Sequence, residues 1–179
     1  MESTLTRLIY REFLLEPDLY REAGLEQLPA KIAQAIEVSP SEALSRLTAS
    51  PLLEPLDLET LQHLVAVRDM AIISRTAAAL SHDLKEPAVT YDQCCRQALI
   101  YAVAGMNAHV YAALRAAASK EDSYARHHYL YSLLLGLEGD YDRALWELEM
   151  ALEREPYAEA RVRLRFAAEV IEKAQKAAG

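Results

Sequence analysis

The chain matches itself at a fixed spacing of 34 residues, and this repeat limits the folds open to it more than any other feature. The segment AGMNAHVYAALRAAASKED (104–122) aligns without a gap with EGDYDRALWELEMALEREP (138–156). The identical aligned pairs include Leu99/Leu133, Gly105/Gly139, Leu114/Leu148 and Ala117/Ala151. A period of this length is typical of stacked helix pairs, because one pair cannot bury its apolar face alone.

The residues from Gly139 to Pro156 predict how one such pair is built. Gly139 ends the first helix, since a positive φ angle costs little only at glycine. Asp140 caps the next helix, and Ala144 is small where the two helices cross. Pro156 ends the second helix. The alternation typical of β-strands is absent, so the chain is predicted to be all-α, with helices near 90–104, 106–118, 122–138, 141–154 and 158–177.

Residues 125–158 resemble a tetratricopeptide repeat. The family's signature positions carry matching residues here, namely Gly139, Tyr141, Ala144, Ala151, Leu152 and Pro156. His128 replaces the Trp that the family usually has in the first helix, and Ser132 replaces its small residue. The resemblance implies a right-handed stack of antiparallel helix pairs.

Two preceding segments resemble weaker copies of this repeat. Residues 91–124 retain matching residues at Tyr101, Gly105, Leu114 and Ala117. Asp122 stands where the family has its proline. Residues 57–90, predicted as one long helix or two packed helices, fit the repeat at Val65, Val67 and Leu80. In that segment Asp83 falls where a small apolar residue belongs.

The flanking parts of the chain differ from the repeats. Residues 1–56 hold five of the seven prolines and predict short helices. The first is capped by Ser3 and carries an apolar stripe of Leu5, Leu8, Ile9 and Phe13. Another helix start is predicted at Ser39, Pro40 and Glu42. A capping helix is expected at 159–177, with Val162, Phe166 and Val170 toward the last repeat. The expected organisation is an N-terminal segment, 1–56, and a repeat domain, 57–179.

The charge of the chain disfavours several partners. The formal net charge is −8 and is spread evenly, which makes nucleic acid and anionic membranes poor candidates. The N-terminus lacks the cationic and apolar regions of a signal peptide. Asn107, His109 and Arg115 interrupt the most apolar stretch, residues 98–118, which argues against a membrane span. The two cysteines are adjacent, so we interpret them as buried thiols and expect a cytoplasmic protein.

Motifs for catalysis, metals and cofactors are missing from the sequence. It contains no phosphate-binding glycine loop, no H-E-x-x-H and no C-x-x-C. The adjacent His127 and His128 are expected to point about 100° apart on a helix and therefore not to share a metal by themselves. His109 is not predicted to form a thiol site with Cys94 and Cys95, because Cys94 lies in the first helix of its pair and His109 in the second. No catalytic residue, metal or cofactor is therefore predicted.

A binding groove is the functional site that the repeat favours. In tetratricopeptide proteins the first helix of each pair lines the concave face, and by this resemblance the candidate partner-binding residues are Arg96, Leu99, Arg126, Tyr129, Leu130, Leu133 and Leu137. Repeats that clamp a C-terminal carboxylate carry Lys and Asn here, whereas this chain has Tyr129 and Leu133. The groove is therefore predicted to be apolar and to hold an apolar or amphipathic segment of another protein. Alternatively, the chain's own N-terminal helices cover these residues.

The expected function is non-catalytic protein–protein binding, with a homo-oligomer as a further possibility. Size, acidity and an apolar groove are similar to those of small repeat chaperones and assembly adaptors, such as those of type III secretion systems. A regulatory domain of a signalling or transcription-regulatory system is one alternative. A helical enzyme with an unrecognised site is another.

Overall fold

The computed structural model describes residues 3–16, 67–84 and 86–179. All regular structure in these residues is α-helical, which confirms the all-α prediction. The helices are α1 (Thr4–Leu15), α2 (Val67–Asp83), α3 (Tyr91–Val103), α4 (Asn107–Lys120), α5 (Arg126–Leu137), α6 (Tyr141–Arg154) and α7 (Ala158–Ala178). The helix start predicted at Ser39 and the first ten residues of the third repeat copy, 57–66, lie outside the described residues.

Consecutive helices pack as pairs, α3 with α4 and α5 with α6. Both pairs turn at a glycine with positive φ, 77° at Gly105 and 83° at Gly139. The amide of Met106 donates to the Tyr101 carbonyl at 2.9 Å, and that of Asp140 donates to Leu135 at 3.0 Å. This is the same hydrogen-bonding pattern at both turns, that of a Schellman motif. The repeat therefore predicted two equivalent helix ends correctly.

Helix α5 begins at Arg126, four residues later than the predicted start at 122. The Glu121 carboxylate accepts hydrogen bonds from the Ser123 amide at 3.2 Å and from its hydroxyl at 2.6 Å. These local bonds hold the chain in a turn and compete with helix formation. Ala125, the residue before α5, has no polar side chain that could cap the first turn of the helix. Instead, the Tyr91 hydroxyl accepts the free amide N–H of His127 at 2.9 Å.

Helix α7 closes the end of the structure by packing on α6 and also contacts α5. Of the residues expected to face the last repeat, Phe166 is buried, whereas Val162 and Val170 are partly buried; Ala167 and Ile171 are buried as well. Of the three arginines in the first half of this helix, Arg165 is exposed, whereas Arg161 and Arg163 are partly buried. Arg161 donates to the Leu152 carbonyl at 2.6 Å and therefore caps the end of α6.

Helix α1 packs against α3, α5 and α7. Ser3 caps it, since its hydroxyl accepts from the Thr6 amide at 3.2 Å. Its predicted apolar stripe, Leu5, Leu8, Ile9 and Phe13, is buried. Thus α1 lies on the first helices of both pairs, where the partner groove was expected. None of the helices in the described part of the chain has the length and hydropathy that a membrane crossing requires.

Replacing Gly139 with valine should cost about 1 kcal/mol or more of folding free energy, because a β-branched side chain is strained at positive φ. An added Cβ meets no atom within 4 Å, so the cost expected at that carbon comes from the backbone angle and not from a clash. Thermal denaturation measures the effect, with Gly139→Asn at the same position as the control, since asparagine tolerates a positive φ. Equal melting temperatures for the two variants would contradict the strain argument.

Candidate interaction groove

The groove between the first helices is filled by α1. Ile9 packs beside Leu99, Leu130 and Leu134, and the cavity left between them has a volume of only about 10 Å³. That volume is at the lower limit of the space one water molecule occupies. The apolar face of α1 therefore fits this part of the groove closely.

A glycine lets α1 approach α5. A Cβ at Gly136 would lie 3.2 Å from Cδ1 of Leu5 and 3.4 Å from Cγ1 of Ile171. Glycine in a helix interior costs about 0.5–1 kcal/mol relative to alanine, so its presence in α5 needs a compensating contact. The close packing of Leu5 against the bare backbone of α5 supplies that contact.

The C-terminal half of α1 carries the polar contacts of the groove. The Tyr129 hydroxyl donates to the Glu12 carboxylate at 3.0 Å. The Arg11 guanidinium lies 3.5 Å from the same carboxylate and 3.5 Å from the Tyr129 oxygen. Arg126 forms an ion pair with Glu16. The contacts of Tyr129 and Arg126 with α1 and its C-cap join residues more than 100 positions apart in the chain and fix α1 along the groove.

Electrostatics favours the ionised form of Glu12. Burial by itself raises the pKa of this carboxyl, but Arg163, Arg11 and Arg126, together with the Tyr129 hydroxyl, outweigh it and hold the pKa below its ordinary value. Burial and the Glu12 charge raise the pKa of Tyr129, so its hydroxyl keeps the proton it donates. The buried carboxylate is thus both neutralised and hydrogen-bonded, as a buried charge requires.

The predicted partner-binding residues do not form an open apolar strip. Leu99, Leu130 and Leu133 are all buried, as is Tyr129. Arg126 is partly exposed and pairs with α1 through Glu16. The alternative stated from the sequence, coverage by the chain's own N-terminal residues, therefore describes α1 in this structure.

The two other predicted residues lie apart from this set. Leu137 is 39% exposed near the end of α5. Arg96 lines a separate surface cavity with Leu84, Pro87 and Val89. Sequence analysis did not identify Glu12, Glu16 and Arg163 as groove residues. Glu12 and Glu16 lie at the C-terminal end of the predicted apolar stripe, and these acidic residues were the sequence signal that could have indicated polar contacts there.

The thiols do not form a reactive site in this structure. Burial raises the pKa of Cys94, and burial with nearby Asp92 raises that of Cys95 to about 12 despite a hydrogen bond with Tyr91. Both remain protonated near neutral pH and are therefore weak nucleophiles. His109 is exposed and its ring packs on Tyr101, with centroids 5.0 Å apart.

The adjacent histidines depart from the expected geometry. Their rings lie side by side, with centroids 4.1 Å apart, and both residues are buried. Both Nε2 atoms approach the Asp122 carboxylate, at 3.3 Å from His127 and 3.7 Å from His128. The expectation that the two side chains diverge is wrong, because rotation about the side-chain bonds offsets the angle between their Cβ directions.

The fold and groove define an all-helical protein that holds an amphipathic helix between paired helices. No protein-family model, curated protein or solved structure matches the chain. The resemblance of residues 125–158 to a tetratricopeptide repeat therefore depends on the signature residues themselves.

Proposed function

We propose that the protein is a non-catalytic protein-binding module whose groove receives one amphipathic helix, with α1 as the helix held there in the absence of a partner. The observation that carries this proposal is the position of α1 on α3 and α5, with its apolar stripe buried. Helix-in-groove recognition uses apolar anchors at such spacings. Adaptor, chaperone and regulatory roles can all use a groove of this kind.

The contacts of α1 define the partner that fits. Its anchors are spaced as Leu5, Leu8, Ile9 and Phe13, which places them on one helix face. Carboxylates at the C-terminal end meet Arg126 and the positive field of Arg163. The partner is therefore a helix with an apolar stripe and acidic residues toward its C-terminal end. Because the anchors of α1 are apolar, apolar burial supplies most of the affinity. The affinity should therefore change little between low and moderate salt.

Because α1 occupies the groove, a partner must displace it. The apparent dissociation constant then equals the intrinsic constant divided by the fraction of molecules in which the groove is open. A change that weakens α1 and leaves the groove intact should strengthen partner binding. A change that obstructs the groove should weaken it.

The full-length Leu8→Asp variant should bind a labelled peptide of residues 3–16 at least about tenfold more tightly than the wild-type protein does. Leu8 is fully buried, so an aspartate there disfavours docking of α1. Adding Gly136→Leu should abolish this gain, because the new side chain occupies the space that Leu5 uses. Fluorescence anisotropy measures the binding.

Val89→Asp is the matched control, since Val89 is 75% exposed and an aspartate there should leave binding at the wild-type level. Circular dichroism verifies that each variant remains helical. Equal peptide affinity for Leu8→Asp and wild type, in folded proteins, would reject the helix-binding groove. Binding that persists in the double variant would place the peptide elsewhere.

A further inference from the structure

Three metal-ligating side chains meet at the turn between the two helix pairs. Asp122 belongs to the segment between α4 and α5, and His127 and His128 lie in the first turn of α5. One potential ligand atom from each lies within 4.8 Å of the others. Both histidines are buried and Asp122 is exposed, so one side of the cluster faces solvent.

The hydrogen bonds of His128 leave one buried atom without a partner. Its Nδ1 lies 2.6 Å from the Glu147 carboxylate, an acceptor, so in the neutral ring this nitrogen carries the proton. Nε2 then presents a lone pair, and it is buried with no hydrogen-bond partner. It faces Asp122 Oδ1, another acceptor, at 3.7 Å. Two acceptors that face each other with no hydrogen between them repel, and either a metal ion or a proton on Nε2 removes this repulsion.

We infer that Asp122, His127 and His128 form a binding site for a divalent transition-metal ion, most suitably Zn²⁺, with a fourth position open to water or another ligand. Bonds of about 2.0–2.1 Å to a tetrahedral ion place neighbouring ligand atoms about 3.3–3.4 Å apart. The distances from Asp122 Oδ1 to the two Nε2 atoms, 3.3 and 3.7 Å, are close to this value. Small side-chain rotations complete the geometry.

The surrounding residues orient both imidazoles as a metal site requires. Histidine ligands usually donate the other ring N–H to a carboxylate or another oxygen, which fixes the ring and increases its basicity. Glu147 accepts from His128 in this way. The Tyr91 oxygen lies 2.8 Å from Nδ1 of His127 and can accept a hydrogen bond from its N–H. With Nδ1 protonated, the Nε2 lone pair of each ring faces Asp122, and the ion replaces the hydrogen bond that the other tautomer of His127 makes from Nε2 to Asp122 Oδ1 at 3.3 Å.

The local charge is compatible with a bound cation. The first turn of a helix carries a partial positive charge, which opposes a cation. Asp122 and Glu147 offset this charge with two carboxylates. Arg154 holds the Asp122 segment, since its Nε donates to the Asp122 carbonyl at 2.9 Å. The ion-pair contact of Arg154 with the Asp122 carboxylate is through Oδ2, at 3.7 Å, and Oδ1 is the oxygen that approaches the histidines.

The donor set indicates the class of metal. Two imidazoles and one carboxylate suit Zn²⁺ and related ions, whereas Ca²⁺ and Mg²⁺ require mostly oxygen ligands. The full-length protein should therefore bind one Zn²⁺ ion and show no competition from millimolar Mg²⁺. Binding should also raise the melting temperature, because the ion joins the turn before α5 to the helix itself. Competition with a fluorescent zinc chelator measures the affinity.

Asp122→Asn and His128→Gln should each weaken Zn²⁺ binding by more than about 100-fold, and Glu147→Gln by about 10–100-fold. Asp122 has an exposed side chain, so its variant should stay folded even if a buried histidine variant does not. His82→Gln, at an exposed histidine on α2, is the matched control and should leave affinity unchanged. In the Co²⁺ form, a tetrahedral absorption spectrum should appear in the wild type and disappear in Asp122→Asn.

The inference is overturned if the wild-type protein binds no Zn²⁺, or if Asp122→Asn binds it as tightly as the wild type. In the first case a proton on Nε2 of His128, and not a metal, separates the two acceptors. In the second case the ion binds at other residues. Neither result depends on whether the groove binds a partner.

Discussion

Replacing Phe13 with alanine should lower the free energy of unfolding by about 3–5 kcal/mol, the range for removal of a buried aromatic side chain. Phe13 is fully buried on α1, and α1 packs against α3, α5 and α7. Loss of the ring removes apolar contact and leaves a cavity where these helices meet. Urea denaturation followed by circular dichroism measures the change.

Trp146→Ala is the control for this prediction. Trp146 is also a large aromatic residue, but its side chain on α6 is 55% exposed. Its loss should cost less than about 1 kcal/mol, since little of the removed surface was buried. Similar values for the two variants would show that α1 contributes no more to stability than the surface of α6 does.

The Glu12→Gln variant should lose about 3 kcal/mol, at the low end of the cost of breaking a buried ion pair. Glutamine still accepts the Tyr129 hydrogen bond, so the loss comes from the charge. Without the carboxylate, Arg11 and Arg126 lose the negative charge of Glu12, and Arg126 keeps its ion pair with Glu16. The low end applies because the side chain of Arg126 is 34% exposed and retains part of its hydration.

The pH dependence should identify the ionised carboxylate as the cause. The folded state holds the pKa of Glu12 below its ordinary value of 4.5, so Glu12 contributes its full stabilisation above that pH. The contribution is lost as the pH falls through the folded pKa. The stability difference between wild type and Glu12→Gln should therefore be constant from pH 6 to about pH 5 and shrink in more acidic solution.

Chemical denaturation across this pH range provides the measurement. Glu153→Gln, an exposed carboxylate on α6, is the control and should change stability by less than about 0.5 kcal/mol at each pH. A difference for Glu12→Gln that does not change with pH would indicate a packing effect and contradict the electrostatic argument.

The helices and turns of residues 91–179 were largely predictable from the sequence. At the positive φ of Gly105 and Gly139 most other residues would be strained, and the residues around both glycines repeat the same apolar spacing. The cap at Ser3 and the stripe of α1 were also local signals. The start of α5 was not predictable from helical periodicity, because hydrogen bonds from Ser123 to the Glu121 carboxylate hold the preceding residues in a turn.

The arrangement of side chains in the candidate sites could not be predicted from the sequence. Tyr129 was predicted to bind a partner, whereas in this structure it is buried and its hydroxyl is paired with Glu12 on α1. His127 and His128 were expected to diverge, whereas their rings lie side by side at Asp122. These outcomes follow from rotamers and from contacts between distant segments.

The sequence by itself determined the helices, their paired turns and which face of each helix is apolar, because capping, backbone angles and periodicity act within a few residues. The tertiary structure alone decided which apolar face meets which. An apolar stripe such as that of α1 is attracted to any apolar surface, since the hydrophobic effect has no direction. Close packing at Gly136 and the Glu12–Tyr129 hydrogen bond select one position for α1.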